Sequence, residues 1–169
     1  MNRRHFYHCT TDWHGPVLVV GRRTPRQPAQ REPPTPRLCV SPTVACCFAA
    51  RLFTLGRPVH VYRTERPCRG VTPVGVWDVC ITRERWLIPP MRLVFDHTIA
   101  ADVAERCQAG VRLYHATTKK HSDLRLRVAQ YRTAALVLGT AQDLRRSARM
   151  LAALALPEPD DYVLARLTA

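Results

Sequence analysis

The chain has 169 residues, 46% of them hydrophobic, and its 26 Lys and Arg against 13 Asp and Glu give a formal charge of +13. That length suits one domain around a single core, and the apolar fraction excludes wholesale disorder. No run approaches the ~20 apolar residues of a membrane span, and Met1-Asn2-Arg3-Arg4 leads into His5-Phe6-Tyr7-His8 rather than an apolar secretory segment, so the expected location is cytoplasmic, with no membrane partner.

Phe6–Thr10 is a β-prone run with two aromatics and predicts the first strand. Pro16–Val20, ending at Gly21, predicts a second strand or a short element closed by a turn. From Arg22 to Arg37 five prolines interrupt a charged, aperiodic stretch, which reads as a mobile loop of the kind that often serves as a lid or binding loop. Leu38–Val40 is a brief strand. Ser41-Pro42 then predicts a helix start, with Ser as N-cap and Pro at the first helical position. Val44, Ala45, Phe48, Leu52 and Phe53 keep helical spacing until Gly56. Strands are expected again at Pro58–Thr64, at Val74–Ile81 and at Arg85–Ile88, with Met91–Phe95 continuing the sheet.

Beyond residue 98 the pattern turns helical. Ala100–Cys107 stops at Gly110. Asp123–Leu138 carries Leu124, Val128, Tyr131, Ala135 and Leu138 on one face and stops at Gly139. Thr140 and Asp143 form a capping-box pattern for a helix running to Leu156. Strands first and helices second give the α+β class: one domain over 1–169, with a strand-rich core at 5–98 and a helical part at 99–169.

The positive charge attracts polyanions such as nucleic acid, acidic protein surfaces or a dinucleotide's phosphates. A bias toward arginine accounts for the same excess, because Lys occurs only at Lys119 and Lys120. Arg125, Arg127, Arg132, Arg145, Arg146 and Arg149 stud the last two helices, so a non-catalytic, basic nucleic-acid-binding module is one reading. No helix-turn-helix, zinc-finger or aromatic-basic motif accompanies them. The cysteines are odd in number, and Cys46 and Cys47 are adjacent, with no C-x-x-C pair. This predicts reduced, mostly buried thiols rather than disulfides or a metal site.

Three pieces bear chemistry, in a fixed order. His8-Cys9-Thr10 follows an aromatic in the first strand. Leu38-Cys39-Val40-Ser41 runs from a strand into a capped helix. Thr82-Arg83-Glu84-Arg85-Trp86-Leu87-Ile88-Pro89-Pro90 sets an acid before a hydrophobic run. In this order they resemble the ADP-ribosyltransferase superfamily, and within it small bacterial members such as the rifamycin ADP-ribosyltransferases and their phage-encoded relatives. The resemblance covers about residues 6–98 and leaves the helical part unaccounted for. It implies a split β-sheet core, here followed by C-terminal helices, and an NAD-dependent mono-ADP-ribosyltransferase. The acceptor would be a protein side chain, a nucleic-acid base or a small molecule.

The same resemblance implies roles. His8 bonds the ribose next to nicotinamide, and Thr10 or the adjoining backbone at Cys9 holds the nicotinamide amide. Arg22, Arg23 or Arg37 holds the pyrophosphate, to which planar guanidinium donors are suited. Ser41 stands as helix cap and as ligand. A carboxylate stabilises the positive charge that develops on the ribose as nicotinamide leaves, an electrostatic contribution that is often the largest in catalysis. Glu84 fits the acid-before-aliphatics pattern; Asp78 fits the rifamycin-type arrangement, in which a preceding loop supplies an Asp. Cys9 stands where the family has Gly, and Cys39 where many relatives have a Tyr that stacks on nicotinamide, with Tyr62 as a substitute ring. These departures open a further reading, a transferase fold that serves as an interaction or inhibitor protein. Plain structural roles are also open: His8 as a packed strand histidine, Glu84 as a surface partner of Arg83 and Arg85, and Asp78 as a strand-edge acid.

Overall fold

Val59-His60-Val61-Tyr62-Arg63-Thr64 forms the central strand because β-branched and aromatic side chains fill both faces of a pleated sheet. The computed structural model describes residues 3–19, 36–73, 76, 78–117, 124–138 and 140–154, with 110–117 described by backbone alone. The strands are β1 (Tyr7–Thr10), β2 (Val17–Val19), β3 (Leu38–Val40), β4 (Val59–Thr64), β5 (Arg85–Leu87) and β6 (Arg92–Ile99). The helices are α1 (Val44–Ala50), α2 (Val79–Thr82), α3 (Ala101–Thr117), α4 (Leu124–Leu138) and α5 (Ala141–Ala153). The class is α+β, strands preceding most of the helices.

Four strands form an antiparallel sheet in the order β1-β4-β6-β2, and β3 and β5 form a separate antiparallel pair. One bridge joins the two sheets: the Tyr7 N–H donates to the Ser41 carbonyl at 2.7 Å, and the Ser41 N–H donates to the Tyr7 carbonyl at 2.9 Å. The small pair therefore grows from the edge of β1 that β4 leaves open. Gly70 keeps this region close-packed, since a Cβ there would lie 2.8 Å from the Arg85 Cβ.

The two faces of the large sheet bury different sets. Cys9, Val59, Val61 and Ile99 pack against Ala45 and Phe48 of α1 and Val128, Tyr131 and Ala135 of α4. Phe6, Tyr62 and Leu93 pack against Val40 and Leu87 of the β3–β5 pair. Each such fully buried side chain contributes about 1.5–3 kcal/mol. The helical part also holds the end of α1, whose last carbonyls have no partner within that helix: the Arg127 guanidinium donates to the Ala49 carbonyl at 3.0 Å, and the Gln130 amide donates to the Phe48 carbonyl.

Expectations at three elements are corrected. The strand at Val74–Ile81 is replaced, over the described residues, by helix α2: the Ile81 and Thr82 N–H groups and the Thr82 hydroxyl all bond the Asp78 carbonyl, and Arg83 closes the turn at φ 51. Helix α1 is capped by Thr43, whose hydroxyl accepts the Cys46 N–H, because Ser41 is committed to its bridge with Tyr7; α1 ends at Ala50 well before Gly56. Helix α3 runs through Gly110 to Thr117. The expected loop at Arg22–Arg37 falls outside the described residues as far as residue 35, as does the expected end of the last helix at Leu156.

Candidate active site

Strand alternation sets His8 on the face of Tyr62, its partner in register on β4, while Tyr7 and Cys9 turn toward the helices. His8 is half-buried, and its Nδ1 lies 3.0 Å from the Cys39 carbonyl oxygen. A carbonyl only accepts, so Nδ1 carries the proton. Burial lowers the His8 pKa to about 4; the Cys39 carbonyl opposes this, and the neighbouring Arg51 and, less, His14 reinforce it. His8 is therefore neutral near pH 7, with an unprotonated Nε2 that can accept a hydrogen bond.

Cys39 lies on the other face of β3 from Leu38 and Val40, which join the second core. Cys39 is exposed; its thiol pKa is nevertheless raised above the usual thiol range, by partial desolvation and by the Glu84 carboxylate beside it, with Arg37 opposing. One residue thus touches both predicted groups: its carbonyl holds His8, and its sulfur meets Glu84. Glu84 follows the left-handed turn at Arg83 and leads into β5, where its Oε1 accepts the Trp86 indole N–H at 2.8 Å. Trp86 pairs in register with Cys39. The Arg37 guanidinium lies 4.0 Å from the centroid of the Trp86 ring, and both side chains are buried. Arg37, Cys39, Glu84 and Trp86 form one patch, and β3 links it to His8.

The other expected residues divide. Ser41 is buried at the bridge to Tyr7, one residue from the patch. The Cys9 thiol is buried in the helix-facing core beside Cys47, which with burial raises its pKa. Only the Cys9 backbone faces the edge shared with β3, because His8 forms the hydrogen-bonded pair with β4. The Thr10 hydroxyl accepts the Asp12 N–H at 3.1 Å and shapes the turn after β1. Tyr62 is fully buried, and its hydroxyl donates to the Gly15 carbonyl and accepts the His14 N–H. It has no open face on which a ring could stack, so the substitute role is withdrawn. Asp78 is neither a strand-edge acid nor part of the patch: its Oδ2 lies 3.4 Å from the Arg127 Nε of α4. Arg22 and Arg23 lie outside the described residues.

Trp86 is the member of the patch that the sequence did not single out. Its signal was present: Glu84 and Trp86 are two apart at the start of a strand, the spacing that puts side chains on one face. Among the described residues, no three His, Cys, Asp or Glu side chains converge as metal ligands would. Comparison with known proteins gives no match to this chain among family models, curated proteins or solved structures.

Proposed function

We propose that the chain is an NAD-dependent mono-ADP-ribosyltransferase with His8 and Glu84 at its centre. One observation carries the reading. Residues 8, 39–41 and 84, far apart in sequence and first grouped by their order alone, meet through the Tyr7–Ser41 bridge and the β3–β5 pair.

The chemistry follows from the side chains. Neutral His8 offers its Nε2 lone pair to a ribose hydroxyl, and its Nδ1–H is held by the Cys39 carbonyl, which fixes the ring. The backbone of Cys9 faces the edge that β1 shares with β3, beside His8 and Cys39, where the nicotinamide amide would lie. The Glu84 carboxylate, oriented by the Trp86 indole, opposes the positive charge that builds on the ribose as nicotinamide leaves. Arg37 is the member of the expected pyrophosphate-binding arginines that the described residues place on this patch, stacked on Trp86. Of the two candidate carboxylates, Glu84 is favoured because Asp78 is engaged with Arg127.

Nicotinamide release from NAD tests the reading. The parent protein should release it in the presence of acceptor, and Glu84→Gln should release it about a hundredfold more slowly or worse at similar NAD affinity, as when one preorganised electrostatic contact is removed. Absence of both nicotinamide release and NAD binding by the folded parent refutes it, and leaves the site as an interaction surface.

A further inference from the structure

A large aromatic side chain left in water forgoes the gain from burial, so an exposed one that is also held rigid calls for a reason. Trp13 is 54% exposed. It nevertheless rests on three rings of the sheet: Phe95 at 4.9 Å and His60 at 5.3 Å, both edge-on, and Tyr62 at 6.2 Å. Its loop is fastened at each step. The Asp12 N–H bonds Thr10, the Arg57 guanidinium donates to the Thr11 carbonyl at 3.3 Å, and the Tyr62 hydroxyl bridges the His14 N–H and the Gly15 carbonyl. Gly15 sits at φ +81, a conformation that suits glycine, and closes the loop. The indole is thus presented before any ligand arrives.

The setting is cationic and lies beside His8. Tyr62, which anchors the loop, is the register partner of His8. Arg51 is the cation whose charge acts on His8. Arg57 reaches the loop itself, donating to the Thr11 carbonyl and lying 3.8 Å from the Asp12 carboxylate, which compensates it in part. The whole chain carries +13. A fixed, exposed ring with a guanidinium beside its loop, on a strongly basic protein, matches a polyanion with flat faces, since a base stacks on the ring while phosphates meet the basic surface.

We propose that the Thr11–Gly15 loop presents Trp13 as a stacking platform for a base of single-stranded nucleic acid at the edge of the His8 site. This gives the transferase reading a class of acceptor and rests on that reading only for that purpose; the binding itself requires no NAD.

The test is binding of a fluorescein-labelled single-stranded deoxyoligonucleotide to the full chain without NAD, across a salt series. The parent should bind with an affinity that falls steeply as salt rises. Trp13→Ala should weaken binding about tenfold or more, and Trp13→Phe, which keeps a smaller stacking face, should fall between them. Circular dichroism confirms that each variant is folded. Equal binding by folded Trp13→Ala overturns the proposal, as does absence of binding by the parent at low salt. Poly-glutamate that competes as well as the oligonucleotide, charge for charge, also overturns it, because base stacking then adds nothing. If Trp13→Ala proves unfolded, Trp13→Phe and the poly-glutamate competition decide alone. A folded parent that binds the oligonucleotide but neither binds NAD nor releases nicotinamide would refute the transferase reading and leave the platform standing.

Discussion

The backbone carbonyl of Cys39 holds the Nδ1–H of His8 at 3.0 Å, while the sulfur of the same residue lies against Glu84. A brief strand thereby fixes a histidine tautomer with one atom and meets a carboxylate with another. Variants at either end report on the same strand.

The His8 contact predicts a pH dependence of stability. The folded state depresses the His8 pKa from 6.5 to about 4, so between those values the unfolded chain binds the proton and the folded chain does not. Stability from this residue is fully present above pH 6.5 and is lost as pH falls toward 4. Urea denaturation at intervals from pH 7.5 to 4.5 should show that fall, and His8→Gln should flatten it. An unchanged slope in His8→Gln would mean that other groups produce the acid sensitivity.

The Cys39–Glu84 contact predicts thiol reactivity. Only the thiolate is alkylated at an appreciable rate, and the Glu84 charge helps to keep the Cys39 thiol protonated. Iodoacetamide followed by peptide mass mapping at pH 8 should find Cys39 slow in the parent. Glu84→Gln should accelerate it several-fold, with the Cys39 environment otherwise the same. No acceleration would separate the two groups, and with them the patch. This measurement requires no NAD.

Asp78→Asn separates a structural from a catalytic carboxylate. Asp78 and Arg127 are both mostly buried where α2 meets α4, so losing the charge should cost about 1–3 kcal/mol of stability. Nicotinamide release by the folded variant should stay near that of the parent. A variant as stable as the parent but without turnover would return the role to Asp78 and remove it from Glu84.

What the sequence revealed, and what it hid, follows from how local each signal was. Strand β4 and helix α4 were legible within a residue or two, because alternation over Pro58–Thr64 and the face of Val128, Tyr131 and Ala135 lie in contiguous sequence. The stretch before Glu84 departs from its local pattern: Val79 and Ile81 favour a strand, yet the Asp78 carbonyl collects Ile81, Thr82 and its hydroxyl into one helical turn. Ser41 was the better cap by residue type, but its backbone pairs with Tyr7 and passes the cap to Thr43. At the site, His8, Cys39 and Glu84 were named from their order, whereas Trp86 and the withdrawal of Tyr62 depended on which face each strand buries. That is decided by pairing between distant segments, which no local pattern carries.

The junction of the helices with the site is the last case. Asp143 is fully buried on α5, and hydroxyls from three segments converge on it: Tyr131 of α4, Thr140 before α5, and Thr43, the cap of α1, at 3.2 Å. The expected capping box at Thr140 and Asp143 is thus side chain to side chain, and it reaches helix α1, which follows β3. Burial is the largest cause holding the Tyr131 hydroxyl far above its usual pKa, with Cys46 and the Asp143 carboxylate adding to it, so it remains a donor. Asp143→Ala removes the common acceptor, leaving the buried Tyr131 hydroxyl and the half-buried Thr43 and Thr140 hydroxyls without it, and should cost about 3–5 kcal/mol. Tyr131→Phe removes one donor and keeps the packing, and should cost about 1 kcal/mol. Because these losses share one carboxylate, the double variant should cost little more than Asp143→Ala alone. Urea melts of the three proteins check this. Additive losses, or an Asp143→Ala as stable as Tyr131→Phe, would show that the carboxylate does not join the helices to the segment carrying Cys39.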